Sequence, residues 1–61
     1  MREYGVYQCK YEDRDDTTKH VLIKSFPLES FARDLLWLLV SDEIEKNGHI
    51  VSHFYVDVIS K

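Results

Sequence analysis

The segment between Pro27 and Gly48 constrains the fold more than any other part of this chain. Proline cannot donate a backbone hydrogen bond to a sheet, and its fixed φ suits the first turn of a helix. Glycine readily adopts the left-handed conformation that commonly follows the last helical turn, so Gly48 marks a helix end. We therefore predict one long helix over about Leu28 to Asn47, with Ser25 or Ser30 as its N-cap.

The length of the chain limits how much apolar surface it can bury. A domain of 61 residues buries only about 60% of the surface of its unfolded chain, so its stability is marginal without a cross-link or an association. Cys9 is the only cysteine, which excludes an intramolecular disulfide. No cysteine and histidine spacing matches a structural zinc site. We predict a single domain, residues 1–61, that gains stability from a protein partner or from a second copy of itself.

The charge balance narrows the classes of partner. The sequence has 11 acidic and 8 basic residues and a net charge of -3, whereas sequence-independent nucleic-acid binding and docking on an anionic membrane both need a basic surface. No apolar run reaches the roughly 18 to 20 residues of a membrane span. Residues 1–5 are not followed by the apolar run of a signal peptide. We expect a reduced, cytoplasmic setting, with no direct nucleic-acid partner and no membrane partner.

Three segments outside the helix have the composition of strands. They are rich in aromatic and β-branched residues, which suit a pleated surface, and they run from about Glu3 to Tyr11, Lys19 to Phe26 and His49 to Ile59. A polar loop over residues 12–18 joins the first two, which favours an antiparallel hairpin. The order ββαβ predicts an α+β fold, with a three-stranded sheet and the long helix packed on one face. The helical crossover favours a third strand that lies parallel and adjacent to the second.

The predicted helix has more apolar surface than one sheet face requires. At about 100° per residue, six side chains share the direction expected to face the sheet: Leu28, Phe31, Ala32, Leu35, Leu38 and Leu39. A second apolar group lies roughly 100° to 200° from that direction: Leu36, Trp37, Val40 and Ile44. Two interpretations stay open. Either the helix rolls on the sheet and its buried face drifts, or the second group is an interface with a partner protein or a second copy.

The predicted strands also have more aromatic and apolar surface than one helix can cover. Alternation places Tyr7 and Cys9 on the face opposite Val6, and Tyr55 on the face opposite Val56. One helix covers only one face of a sheet, so some tyrosines are expected on an open face. They are either half-exposed strand residues with a solvated hydroxyl group or part of a second contact surface for sheet-to-sheet packing.

No set of polar residues has the spacing of a catalytic, cofactor or metal site. His49 and His53 are four residues apart, but on a strand their side chains lie about 13 Å apart, too far to share an ion. The acidic run after the first strand is not a calcium loop, because Thr18 and Lys24 stand where such a loop needs glycine and glutamate. We interpret the run as a solvated hairpin tip or as a contact loop for a basic partner. Its acidic residues are Glu12, Asp13, Asp15 and Asp16.

The small size, the acidity and the ββαβ order resemble those of the proteins that phages make to disable host machinery, such as inhibitors of bacterial RNA polymerase and anti-CRISPR proteins. The resemblance rests on these general properties and not on a motif, so it assigns no residue a role. It implies a non-enzymatic protein-binding module that inhibits or adapts a larger macromolecular machine. The alternative is a self-associating structural homodimer.

Overall fold

The computed structural model, which describes residues 2–60, has the element order ββαβ, with two short 3₁₀ turns between the first two strands. The predicted α+β class, with one three-stranded sheet and one long helix, is confirmed. Strand β1 spans Glu3–Lys10, β2 spans Val21–Phe26, helix α1 spans Glu29–Asn47 and β3 spans Ser52–Ser60. The 3₁₀ turns span Tyr11–Asp13 and Thr17–Lys19.

The sheet differs from the prediction in its strand order. β1 is the central strand and pairs antiparallel with both β2 and β3. The expected adjacency of β2 and β3 is therefore wrong, although the two run in the same direction because each is antiparallel to β1. β1 is the most buried strand, since Gly5, Val6 and Cys9 are all buried. β1 therefore lies at the centre of the sheet, where residues on both of its faces are buried.

The observed ends of the helix and of the third strand agree only partly with the predicted ones. Neither Ser25 nor Ser30 caps the helix, because the N-cap residue is Leu28 and its side chain makes no capping hydrogen bond. The predicted end at Gly48 is confirmed: its φ is 77°, in the left-handed region, and its N–H donates to the carbonyl oxygen of Ile44 at 2.7 Å. The third strand begins three residues later than the predicted start at His49.

The alternation of the strands places side chains on the faces that the sequence predicts. Val6 lies opposite Val56 in the register of β1 and β3, and Tyr7 lies opposite Tyr55. Leu39 of α1 lines the same small cavity as two side chains from the face that Val6 occupies, so the helix covers that face. The helix contacts all three strands. The tyrosine pair therefore lies on the face without a helix.

The helix is rotated about its axis relative to the prediction. The sequence predicts Leu28, Phe31 and Leu38 in the core, but they are 53%, 49% and 67% exposed. The buried and half-buried side chains instead centre about 70° from the predicted direction: Ala32, Leu35, Leu36, Leu39, Val40 and Glu43. Two contacts explain the rotation. Ala32, which is 0% exposed, lets the first turns approach the sheet closely, and Glu43 binds the backbone at the start of β3.

Candidate interaction surfaces

The fold leaves an unusually large apolar surface uncovered. Within residues 2–60, three hydrophobic residues are buried, whereas thirteen large hydrophobic residues are at least 38% exposed. The accessible surface is 4663 Å², compared with about 4,200 Å² expected for a compact chain of this mass. The Cα atoms span 38 × 24 × 11 Å, so the molecule is a thin slab of one sheet and one helix. A slab of two layers has no interior large enough to bury these side chains.

One flank of α1 carries the residues that the sequence predicts as an interface. Trp37 is 65% exposed and Ile44 is 45% exposed, while Leu36 and Val40 are half-buried. Trp37, Val40 and Ile44 follow the spacing i, i+3, i+7 and so share one side of the helix, which we name the Trp37 flank. Leu36 lies closer to the sheet. Rotation of the helix therefore accounts for part of the predicted group, and Trp37 and Ile44 stay uncovered.

The opposite flank of α1 is also an exposed apolar surface, although the sequence predicts its residues in the core. Phe31 and Leu38 are seven residues apart, on the same side of the helix, and both are exposed. The sequence contains one signal of this error. Asp42 and Lys46 lie near the predicted core direction, but they form an exposed ion pair of 3.2 Å. Two charged residues in a supposed core stripe indicate that the true stripe is rotated away from them.

The four acids of the predicted contact loop have different surroundings. Asp16 is half-buried, and its Oδ1 accepts hydrogen bonds from the N–H and the hydroxyl group of Thr18 at 3.1 and 2.5 Å. Asp13 is also half-buried and forms a 3.6 Å ion pair with the lysine that ends the second 3₁₀ turn. Glu12 and Asp15 are exposed. Asp13 and Asp16 therefore hold the shape of the loop, and Glu12 and Asp15 present negative charge to solvent.

The open face of the sheet carries a row of aromatic side chains that contact one another. The rings of Tyr7 and Tyr55 stack with their centroids 5.1 Å apart and an angle of 10° between planes. His53 stacks with Tyr55 at 5.7 Å, and Tyr11 meets His53 edge-on at 6.1 Å. Tyr7, Tyr55 and His53 therefore contact one another through their faces, and Tyr11 extends the row through an edge contact. The row is a small second core on the side of the sheet without a helix.

His20 connects the loop to this aromatic row. Its Nε2–H donates to the carbonyl oxygen of Asp13 at 2.9 Å, since a carbonyl oxygen can only accept. Nδ1 of the neutral ring then accepts from the hydroxyl group of Tyr55, 2.6 Å away. Sequence reasoning missed this residue. In the sequence His20 is an isolated histidine at the start of the predicted second strand, and only the strand register brings it to Tyr55.

The environment of Tyr55 predicts a loss of stability at high pH. Burial raises the pKa of the Tyr55 hydroxyl group above its ordinary value of 10.0, and neighbouring Cys9, Tyr7 and Asp57 raise it further. The folded state thus favours the protonated hydroxyl. This stabilisation is fully present below about pH 10 and is lost as the pH rises through the folded-state pKa. Denaturant unfolding between about pH 9 and pH 11 measures the loss of unfolding free energy. Tyr55→Phe should reduce the dependence of the unfolding free energy on pH. An unchanged dependence in this variant would contradict the role of Tyr55.

Two further structural findings concern the described residues. No three histidine, cysteine, aspartate or glutamate side chains within residues 2–60 converge in an arrangement that holds a metal ion. In the same part of the chain, α1 falls short of the length and apolarity needed to cross a bilayer.

No family model, curated protein or solved structure matches this chain.

Proposed function

We propose that this chain is a protein-binding module that inhibits or adapts a larger macromolecular machine through the Trp37 flank. The observation that carries the proposal is the 65% exposure of Trp37 on a regular helix. A tryptophan ring contributes about 150 to 250 Å² when it is buried, and tryptophan is enriched among the few residues that dominate binding energy. Ile44 extends the same surface by two helical turns.

The net charge of α1 and of the loop indicates the charge of the partner. Both basic residues of α1 are engaged in ion pairs with acids of the same helix: Arg33 with Glu29 at 2.8 Å, and Lys46 with Asp42 at 3.2 Å. The exposed Glu45 adds negative charge to the helix, on the side of Leu38. The loop acids Glu12 and Asp15 add more at another side of the molecule. We therefore propose a partner with an apolar pocket that is bordered by lysine or arginine side chains.

The mode of action is that of the phage-encoded inhibitors that the chain resembles in size, acidity and element order. Such proteins act by occupying a surface of the host machine, which requires a contact surface and no catalytic group. Cys9 is a buried free thiol, which suits a reducing compartment. We propose that the protein acts in the cytoplasm.

Replacing Trp37 with glutamate should weaken partner binding by roughly thirtyfold or more, the effect of losing a contact worth about 2 kcal/mol. The experiment immobilises the full chain, captures partners from lysate of the source cell, and then measures the affinity of each captured protein. Binding should also weaken as the salt concentration rises, because the partner is basic.

Leu38→Glu is the matched control. Leu38 is 67% exposed, almost equal to Trp37, but lies on the opposite flank, so this variant should keep wild-type affinity and the same circular dichroism spectrum. Equal loss in both variants would indicate a general effect of added charge. Unchanged binding by Trp37→Glu would refute the assignment of this flank.

A further inference from the structure

Asn47 and Gly48 form an exposed junction between α1 and the segment that leads to β3. Asn47 is the last residue of the helix and the only asparagine in the sequence, and residues 47–51 are all exposed. Within residues 2–60, no atom beyond the two chain neighbours of Gly48 lies within 4 Å of the place where a side chain on this glycine would begin. Asparagine loses its side-chain amide most readily before glycine, because glycine leaves its own backbone nitrogen unshielded. The junction therefore has the residues and the open space for a covalent modification.

The modification is a deamidation, which needs water as its co-reactant and no enzyme. The backbone nitrogen of Gly48 gives up its proton and attacks the side-chain carbon Cγ of Asn47. The new N–Cγ bond closes a cyclic imide, and the Cγ–Nδ2 bond breaks as the amide takes up a proton and leaves as ammonia. Water then opens the imide at either of its carbonyl carbons and gives aspartate or isoaspartate. Each product adds one negative charge to a net charge of -3.

The end of the helix restrains this reaction in the folded chain. The nitrogen that must lose its proton is the one that caps the helix, since the Gly48 N–H donates to the carbonyl oxygen of Ile44 at 2.7 Å. Asn47 also lies within the helix, and closure of the imide ring requires a backbone ψ that differs from the helical value. Both restraints are released when the last turn opens. Helix ends open at a lower free energy than the core of a domain.

We propose that Asn47 is a site of spontaneous deamidation and that opening of the last turn of α1 controls its rate. Glu43 takes part in this control, because its carboxylate holds the backbone N–H groups of Val51 and Ser52. That contact ties the segment after Gly48 back to the helix and so opposes opening of the turn. The inference does not rest on the proposed partner-binding role, since it concerns backbone groups at the helix end and not the exposed side chains of the Trp37 flank.

The product of the reaction weakens the helix end that restrains the reaction. Glu43 precedes Asn47 by four residues, and both line one small cavity together with Phe54 of β3. A carboxylate at position 47 therefore lies on the same side of the helix as the carboxylate of Glu43 and repels it. It also adds negative charge at the negative end of the helix dipole. Asn47→Asp, which reproduces one product, should raise the hydrogen-exchange rate of the Gly48 amide roughly two- to tenfold.

Timed incubation of the full chain in mildly alkaline buffer tests the inference. Intact mass and isoaspartate content measure the conversion, and peptide mapping locates it. The folded wild type should deamidate at Asn47 at least about fivefold more slowly than the same chain unfolded in guanidinium chloride, the ratio that corresponds to a cap hydrogen bond of about 1 kcal/mol. Asn47→Gln should stop the conversion, because glutamine must close a larger ring and does so far more slowly.

Glu43→Ala should raise the rate of the folded chain at least about threefold, because it removes two hydrogen bonds that oppose opening. Its rate in guanidinium chloride should equal that of the unfolded wild type. Glu45→Ala, at an exposed position in the same part of α1, is the matched control and should leave both rates unchanged. Equal rates in the folded and unfolded wild type would overturn the inference, as would equal folded-state rates in the two alanine variants. A folded chain that stays unconverted after many half-lives of the unfolded chain would show that Asn47 is not a modification site.

Discussion

Replacement of Glu43 with alanine should lower the free energy of unfolding by about 2 to 4 kcal/mol. Glu43 Oε1 accepts the backbone N–H groups of Val51 and Ser52 at 2.5 and 2.6 Å, and hydrogen bonds to a charged group contribute about 1.5 to 3 kcal/mol each. Alanine would leave these two donors to solvent and release the point where the chain enters β3 from α1. For a domain of this size the melting temperature should fall on the order of 15 °C.

Two controls separate the hydrogen bonds of Glu43 from its charge and its helix propensity. Glu45→Ala, two residues further along α1 and exposed, should change stability by less than about 0.5 kcal/mol. Glu43→Gln retains an acceptor oxygen without the charge and should fall between the wild type and Glu43→Ala. Thermal and urea unfolding of the three variants measure the differences. Equal stability of Glu43→Ala and Glu45→Ala would show that the contact does not hold the start of β3.

Glu43 also explains why the sequence did not predict the rotation of the helix. Residues 35–40 are six apolar residues in succession, so they cover every direction around the axis and do not select one face. The selection comes from Ala32 and Glu43, which are eleven residues apart and so lie on nearly the same side. A helix face predicted from large apolar side chains takes neither residue into account. One acts by its small size, and the other by a polar contact with distant backbone.

The strand faces were predictable because the period of a strand is two, without drift. Val6 and Tyr7 therefore face opposite sides in any register, and their pairing with Val56 and Tyr55 preserves the distinction. The strand order was not predictable by the same reasoning. A hairpin and a helical crossover are compatible with either β1 or β2 at the centre, and β2 is equally apolar in sequence. The burial of Gly5, Val6 and Cys9 places β1 at the centre. This burial depends on packing on both faces of the sheet at once.

The candidate surface was predictable where it depends on single exposed side chains. Trp37 and Ile44 lie more than about 100° from both the predicted and the observed buried direction of the helix, and both are exposed. Leu36 and Val40 lie between the stripe and the surface, so a rotation of a few tens of degrees decides their burial. Contacts between distant residues were not predictable. The contact of His20 with Tyr55 depends on the paths of the loop and of β3 together.

The contact of His20 with Tyr55 also affects which apolar surfaces stay exposed. Because His20 and the 3₁₀ turns hold the loop against the aromatic row, the sheet face without a helix is partly covered by the chain itself. Tyr7 and Tyr55 are half-buried there. The larger uncovered apolar areas are then the flanks of α1 and the edge of β2. The hydrogen bonds of His20 also keep the exposed acids Glu12 and Asp15 of this loop at a fixed place on the surface.

His20→Ala should therefore lower the free energy of unfolding by about 2 to 3 kcal/mol, because it removes two partly buried hydrogen bonds and an edge-on ring contact. The amides of Asp16 and Lys19, which bond within the loop, should exchange faster with solvent. A double-mutant cycle with Tyr55→Phe should give a coupling energy of about 1 kcal/mol. His49→Ala, at an exposed histidine, is the control and should leave stability and loop exchange unchanged. A coupling energy near zero would mean that the loop is held by Asp13 and Asp16 without the histidine.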